Sequence, residues 1–179
     1  MKTEFELRIL NINKNEIQKK LEEIGAEYVT KRFMRRKVYD LVKSSEEIKD
    51  SWMRLRDNGE KTTITVKEIY NDQIDGTKEL EMDVEDFDKA SELLEKLGLY
   101  AKAYQENQRT SYRYKNVEIE IDEWPLIPTY LEIEGHNIES IELVVKELGY
   151  QMEQTTSIGV LKVYESYGID LNSIKKLTF

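Results

Sequence analysis

The chain has 179 residues, with 36 acidic against 27 basic side chains and a net charge of −9. That surplus of acid argues against sequence-independent nucleic-acid binding, which needs extra Lys and Arg to neutralise phosphates. Cysteine is absent and histidine occurs once, as His136, so a disulfide framework, thiolate catalysis and a multi-histidine zinc site are all excluded. Any metal would be held by oxygen ligands, which favours Mg²⁺, Mn²⁺ or Ca²⁺.

The N-terminus is charged from its second residue, and no run approaches the roughly 20 apolar residues of a membrane span. The expectation is a single-domain cytoplasmic protein covering 1–179, with no membrane partner. The first strand, Thr3–Ile9, alternates strictly. Glu4, Glu6 and Arg8 fall on one face, Phe5, Leu7 and Ile9 on the other. A helix is predicted over Lys14–Ile24, with Asn13 as N-cap, Ile17, Leu21 and Ile24 on one stripe, and Gly25 ending it. Strands follow at Arg32–Asp40, Trp52–Asp57, Lys61–Ile69 and Lys78–Val84, with Asp57-Asn58-Gly59 as a hairpin turn.

A second helix, Val84–Leu97, ends at Gly98. Strands Lys102–Tyr114 and Val117–Glu123 flank a second turn, and Tyr130–Glu134 is the eighth strand. A third helix, Ile138–Leu148, ends at Gly149. The shared endings of the three helices reflect either a faint internal repeat or ordinary glycine capping. An amphipathic segment at Ile158–Tyr167 suggests that residues 155–179 are partly helical and cap the molecule, and Leu171–Phe179 reads as a short terminal turn. The fold class is therefore α+β. About eight strands joined mainly by hairpins imply an antiparallel sheet, a number that can close into a β-barrel, with helices outside packed on Phe5, Leu7, Leu55, Ile64, Val66, Leu80, Ile119 and Ile133.

The charged strand faces repeat acids at i, i+2 in Glu79-Leu80-Glu81, Glu118-Ile119-Glu120-Ile121-Asp122 and Glu132-Ile133-Glu134, and bases in Arg54-Leu55-Arg56. A single such face is ordinary solvated sheet. Several together crowd like charges, and two carboxylates about 4 Å apart repel by about 4 kcal/mol at an effective dielectric near 20. Carboxylates crowded this way call for a divalent cation, and paired arginines call for phosphate.

With these residues in place the chain resembles the CYTH superfamily, the triphosphate tunnel metalloenzymes. Glu4-Phe5-Glu6-Leu7-Arg8 matches the hallmark Glu-x-Glu-x-Lys strand. Val38-Tyr39-Asp40, Arg54-Leu55-Arg56-Asp57, Thr65-Val66-Lys67, Lys78-Glu79-Leu80-Glu81, Arg109, Glu120-Ile121-Asp122 with Pro125, and Leu131-Glu132-Ile133-Glu134-Gly135 follow in the family's order over about residues 1–150. The resemblance implies a tunnel-forming barrel that takes a triphosphate-containing small molecule with Mg²⁺ or Mn²⁺. It implies a first metal on Glu4, Glu6 and Glu134, a second on Asp122 and Glu132, and phosphate clamps at Arg54, Arg56, Lys67 and Arg109, with Arg8 and Lys78 as further members. Glu79 and Glu81 would hold the bases in register, Tyr39 would neighbour Arg8, and Lys162 would reach phosphate from the C-terminal segment.

Arg8 departs from the family lysine. It either contacts phosphate or Tyr39 with altered geometry, or forms an ion pair with Glu4 or Glu6. Trp52 and Trp124 either stack on a substrate ring or pack structurally, and His136 reads as a loop residue without a role. Three functions remain open: a metal-dependent hydrolase of linear triphosphates, a class IV adenylate cyclase, and a non-catalytic polyphosphate-binding module.

Overall fold

The computed structural model describes residues 2–71 and 73–179, with side chains from Phe5 onward. Eight antiparallel strands curl into a barrel: β1 (Lys2–Ile9), β2 (Glu27–Asp40), β3 (Asp50–Asp57), β4 (Thr62–Ile69), β5 (Thr77–Val84), β6 (Ala103–Tyr114), β7 (Val117–Glu123) and β8 (Tyr130–Gly135). Their order around the sheet is β2-β3-β4-β5-β1-β8-β7-β6, and β2 pairs with β6 to close the ring. That closing ladder runs from Glu27↔Arg113 to Val38↔Ala103. By contrast, among the described residues β1 meets β5 through three residue pairs, Lys2↔Glu79 to Glu4↔Thr77. A short β9 (Lys176–Leu177) joins β6 in parallel beyond the end of β7.

The hairpins form where turn chemistry dictates. Lys115 and Asn116 between β6 and β7 both take positive φ, 47° and 62°, as a two-residue primed turn requires to match the twist of the strands. The helices are α1 (Lys14–Glu23), α2 (Phe87–Lys96), α3 (Ile138–Glu147) and α4 (Val160–Ser166). Asn13, Asp86 and Asn137 cap the first three through side-chain oxygens. Each of the three ends on a left-handed glycine, Gly25, Gly98 or Gly149, whose N–H donates to the carbonyl three residues back. Repeated capping geometry accounts for the shared endings noted in the sequence.

The strand alternation sorts the barrel into two surfaces. Outside, α1 and α3 cover Leu7, Tyr112, Ile119, Ile121, Leu131 and Ile133, while α2 covers Tyr39, Met53 and Leu55. Burial of such apolar surface is the main stabilising contribution, about 25 cal/mol per Å². The expectation for Leu80 is corrected here. It lies on the outer face of β5, between the areas the helices cover, and with Met82 it stays about 60% exposed. The C-terminal segment forms a third cluster. Tyr164 of α4 packs edge-on against Trp124, with Tyr130, Leu171 and Leu177 around them, and its hydroxyl donates to the Pro125 carbonyl at 2.7 Å. No helix among the described residues is long and apolar enough to cross a membrane.

Candidate active site

The inner surface encloses a cavity of about 500 Å³. Its lining includes Glu6, Arg8, Arg54, Arg56, Lys67, Glu79, Glu81, Arg109, Glu132, Glu134 and Lys162. Most of the residues singled out in the sequence thus converge on one channel, although they come from six strands and a helix. The backbone of Glu4 lies in β1 opposite Thr77, and its side chain falls outside the described ones.

The walls have opposite charge. On β1, β7 and β8, Glu6 lies directly across from Glu134, Glu134 from Glu118, and Glu132 from Glu120. Arg8 and Arg109 offset several of these acids, and Ser111 donates to Glu120 at 2.7 Å. Arg8 contacts Glu6 at 2.9 Å and Glu132 at 2.6 Å, and also donates to the Ile158 carbonyl at 2.7 Å. Arg109 grips Asp122 with both Nε and Nη2 and meets Glu132 at 2.8 Å. Burial alone would raise the Glu132 pKa, but the charges of Arg8, Arg109 and Lys67 outweigh it and hold the carboxyl well below its ordinary range. Glu120 is shifted the other way. Burial raises it, and Arg109 and a hydrogen bond from Ser111 only partly compensate.

The facing wall, on β2 and β3, is basic. Arg36, Arg54 and Arg56 line it, with Glu81 beyond at 3.8 Å from Arg54 and 3.6 Å from Arg56. Lys67 pairs with Glu79 at 3.6 Å, so Glu79 and Glu81 both lie within ion-pair distance of bases on this side of the bore. The charge of Arg54 first, then burial and Arg109, lower the Arg56 pKa to about 9. This shift registers a strongly positive potential, since a guanidinium keeps its proton at any ordinary pH.

Two placements differ from expectation, and a third follows one of the stated alternatives. Tyr39 lies outside the barrel beneath α2, where its hydroxyl faces Ser91 Oγ at 3.4 Å, so it does not neighbour Arg8. Lys78 also faces outward, with Nζ 4.4 Å from the Tyr70 ring centre. It shares a strand face with exposed Leu80, opposite Glu79. Arg8 is tied to Glu6, Glu132 and the Ile158 carbonyl, which realises the ion-pair alternative.

The carboxylates differ as metal ligands by the partners they already hold. Glu6 and Glu134, paired across two strands and facing the cavity, suit a divalent cation. Asp122 and Glu132 do not fit as they stand. Asp122 is fully buried in the grip of Arg109 and Asn107, and Glu132 is shared by two arginines. Among the described residues no three acidic side chains converge as a ready ligand set.

Sequence reasoning missed Arg36, Asn107 and Tyr130, all inward-facing. In the C-terminal segment, Ser157 to Lys162 line the cavity, and Thr156 bridges the Arg8 backbone. Trp124 packs with Arg36 over its ring at 4.5 Å and Tyr164 at its edge, and both it and Trp52 line the cavity.

A closed antiparallel barrel with a charge-lined bore and helices outside defines the class of triphosphate tunnel proteins. The family model of the CYTH domain matches residues 2–160, and the chain belongs to that family. Members of the family act on triphosphate substrates, and its tunnel enzymes are in general dependent on divalent metal. A protein of Methanocaldococcus jannaschii, provisionally assigned as an adenylate cyclase, is 25% identical over 160 residues, covering 89% of this chain and 91% of that one. Among solved structures, a conserved hypothetical protein of Pyrococcus furiosus superposes with a TM-score of 0.76 at 22% identity, covering 90% of this chain and 99% of its own. A Hippeastrum protein, a provisional adenylyl cyclase with a dominant triphosphatase activity, superposes with a TM-score of 0.60 at 16% identity, covering 97% of this chain and 100% of its own.

Proposed function

We propose that this protein hydrolyses linear triphosphates, inorganic or organic, with the help of a divalent cation. The observation that carries the reading is the opposition of an acidic wall, Glu6, Glu118, Glu120 and Glu134, to a basic wall of Arg36, Arg54, Arg56 and Lys67 across one bore. A polyanion with its cation fits between such walls, whereas a neutral ligand would leave both uncompensated. Phosphoryl transfer needs mainly positioning and neutralisation of charge on the phosphorus oxygens. Arg54 and Arg56 supply both from one strand, and Lys67 adds a third cation from its neighbour. Glu6 and Glu134 would hold the cation, with Glu4 a further candidate. A bound Mg²⁺ or Mn²⁺ would supply charge neutralisation and acidify the attacking water. Arg109 and Arg8 order the acidic wall, since each bridges two or more of its carboxylates.

A second reading, cyclisation of ATP to cyclic AMP and pyrophosphate, is favoured by the name of the M. jannaschii relative. Incubating the pure protein with tripolyphosphate, thiamine triphosphate and ATP, each with Mg²⁺ or Mn²⁺, separates the two. Free phosphate supports hydrolysis; cyclic AMP with pyrophosphate replaces it by the cyclase. Saturable binding without turnover overturns both. Glu6→Gln is expected to abolish metal-dependent turnover while leaving the folded content unchanged, and full activity would remove Glu6 from the site.

A further inference from the structure

Beyond Glu4, β1 has no ladder pairs with β5 among the described residues, and the chain entering α4 runs along that side instead. Thr156 forms an isolated antiparallel bridge with Arg8. The Arg8 N–H donates to the Thr156 carbonyl at 2.7 Å, and the Thr156 N–H to the Arg8 carbonyl at 2.9 Å. Two residues on, the Ile158 carbonyl accepts from Arg8 Nη1 at 2.7 Å. One residue thus fastens, by backbone and side chain, a strap whose Ser157, Ile158 and Gly159 line the bore. The other arm of the same guanidinium, Nη2, meets Glu6 at 2.9 Å and Glu132 at 2.6 Å. A planar fork can serve both directions, whereas the ammonium of the hallmark lysine is a single point. Past the strap, α4 is anchored by Val163 and Tyr164, both fully buried. Gly159 between them has open space where a Cβ would stand, so the strap has room to shift against a fixed helix.

We infer that Arg8 is a positioning residue that links the strap to the cation position, so that a divalent cation on Glu6 and Glu134 displaces the guanidinium and loosens the strap. Glu6 is the shared element. In the cation-free chain Arg8 is its counter-charge, and a divalent cation taking up the same carboxylate repels Arg8 at close range. The fork is rigid, so a shift of Nη2 away from Glu6 carries Nη1 off the Ile158 carbonyl. Glu132 keeps the guanidinium within the wall. Linkage is reciprocal, so a closed strap weakens cation binding by the factor by which the cation opens it. The strap then yields to a polyphosphate that arrives with its cation and stays shut over a bore without one. The inference rests on the reading of Glu6 and Glu134 as cation ligands, and concerns the strap rather than the chemistry.

The test is hydrogen exchange of the full chain in Mn²⁺ and in EDTA, read by mass spectrometry on peptides spanning Gln154–Leu161, beside calorimetric titration with Mn²⁺. In wild type, saturating Mn²⁺ should speed exchange at Thr156 and Ile158 by roughly fivefold or more, the lower end of couplings between linked sites. Arg8→Lys keeps a charge beside Glu6 and Glu132 but loses the second arm. Its strap should exchange fast already in EDTA and respond little to Mn²⁺, and by reciprocity it should bind Mn²⁺ about fivefold more tightly. Glu6→Gln should bind Mn²⁺ weakly, and its strap should ignore the ion. Mn²⁺ that binds wild type without speeding strap exchange overturns the inference and leaves the cation site. An Arg8→Lys strap as protected in EDTA as the wild type overturns it too, as does a Glu6→Gln strap that still loosens, since the ion then acts from elsewhere on the acidic surface. Failure of Mn²⁺ to bind removes the cation reading and the coupling with it. Loosening by Mn²⁺ without turnover of any triphosphate sinks the hydrolase and keeps the coupling.

Discussion

Replacing Glu132 by glutamine keeps the shape of the side chain and removes its charge. Glu132 is 6% exposed and is paired with Arg8 at 2.6 Å and Arg109 at 2.8 Å. Breaking a buried ion pair typically costs about 3–5 kcal/mol, because a buried charge is left behind. Here Arg8 keeps Glu6 and Arg109 keeps Asp122, which points to the lower end, about 3 kcal/mol. For a domain of this size that is a fall of about 6–12 °C in melting temperature. The pH dependence has a definite sign. The folded carboxyl titrates below its unfolded value, so its stabilisation is fully present above about pH 4.5 and lost as the pH falls toward the folded pKa. Urea denaturation of both proteins in EDTA, from pH 7 down to pH 3, should therefore show a gap that narrows below about pH 4.5. A gap that stays constant over that range, or a loss under about 1 kcal/mol at pH 7, would refute the ion-paired state of Glu132.

Glu120→Gln should act in the opposite direction. A carboxyl whose folded pKa is raised by burial favours the fold below its unfolded pKa and loses that advantage as pH rises. The variant should thus melt above wild type at pH 7 and level with it near pH 4 in thermal scans. Tyr39→Phe removes one long hydrogen bond on the outer face and should cost less than about 1 kcal/mol. Triphosphate turnover should stay within twofold, and a tenfold loss would return Tyr39 to the site. Leu131→Ala empties a fully buried position under the helices. It should cost about 3 kcal/mol by denaturant titration.

Period-two alternation carried most of the architecture. Val117–Glu123 was legible to the residue, because apolar and acidic positions alternate from Val117 to Asp122 and the turn before it has two left-handed residues. The start of β2 was not. Glu27 to Lys31 reads as polar and irregular, and its pairing with β6 includes a register shift between Tyr28 and Thr30 that hides the period. Lys78 shows where the signal was present but outweighed by motif matching, since it alternates with Glu79 and so shares the face of Leu80. Arg36 sits within Arg35-Arg36-Lys37, where three successive bases conceal which one points inward. Its burial arises when β6 and Trp124 close over it, a long-range event that no local pattern encodes. The same holds for Asp122 and Glu132, whose partners Arg109 and Arg8 lie 13 and more residues away.

The three-pair meeting of β1 and β5 leaves Leu80 to Val84 without a ladder partner on that side among the described residues. A strand border of this kind, with Leu80 and Met82 bare beside it, is a template on which a second molecule could stack. Glu79, Glu81 and Asp83 alternate along the same stretch. An antiparallel twin would set those acids against one another, so the charges that shape the bore also guard the rim from self-association.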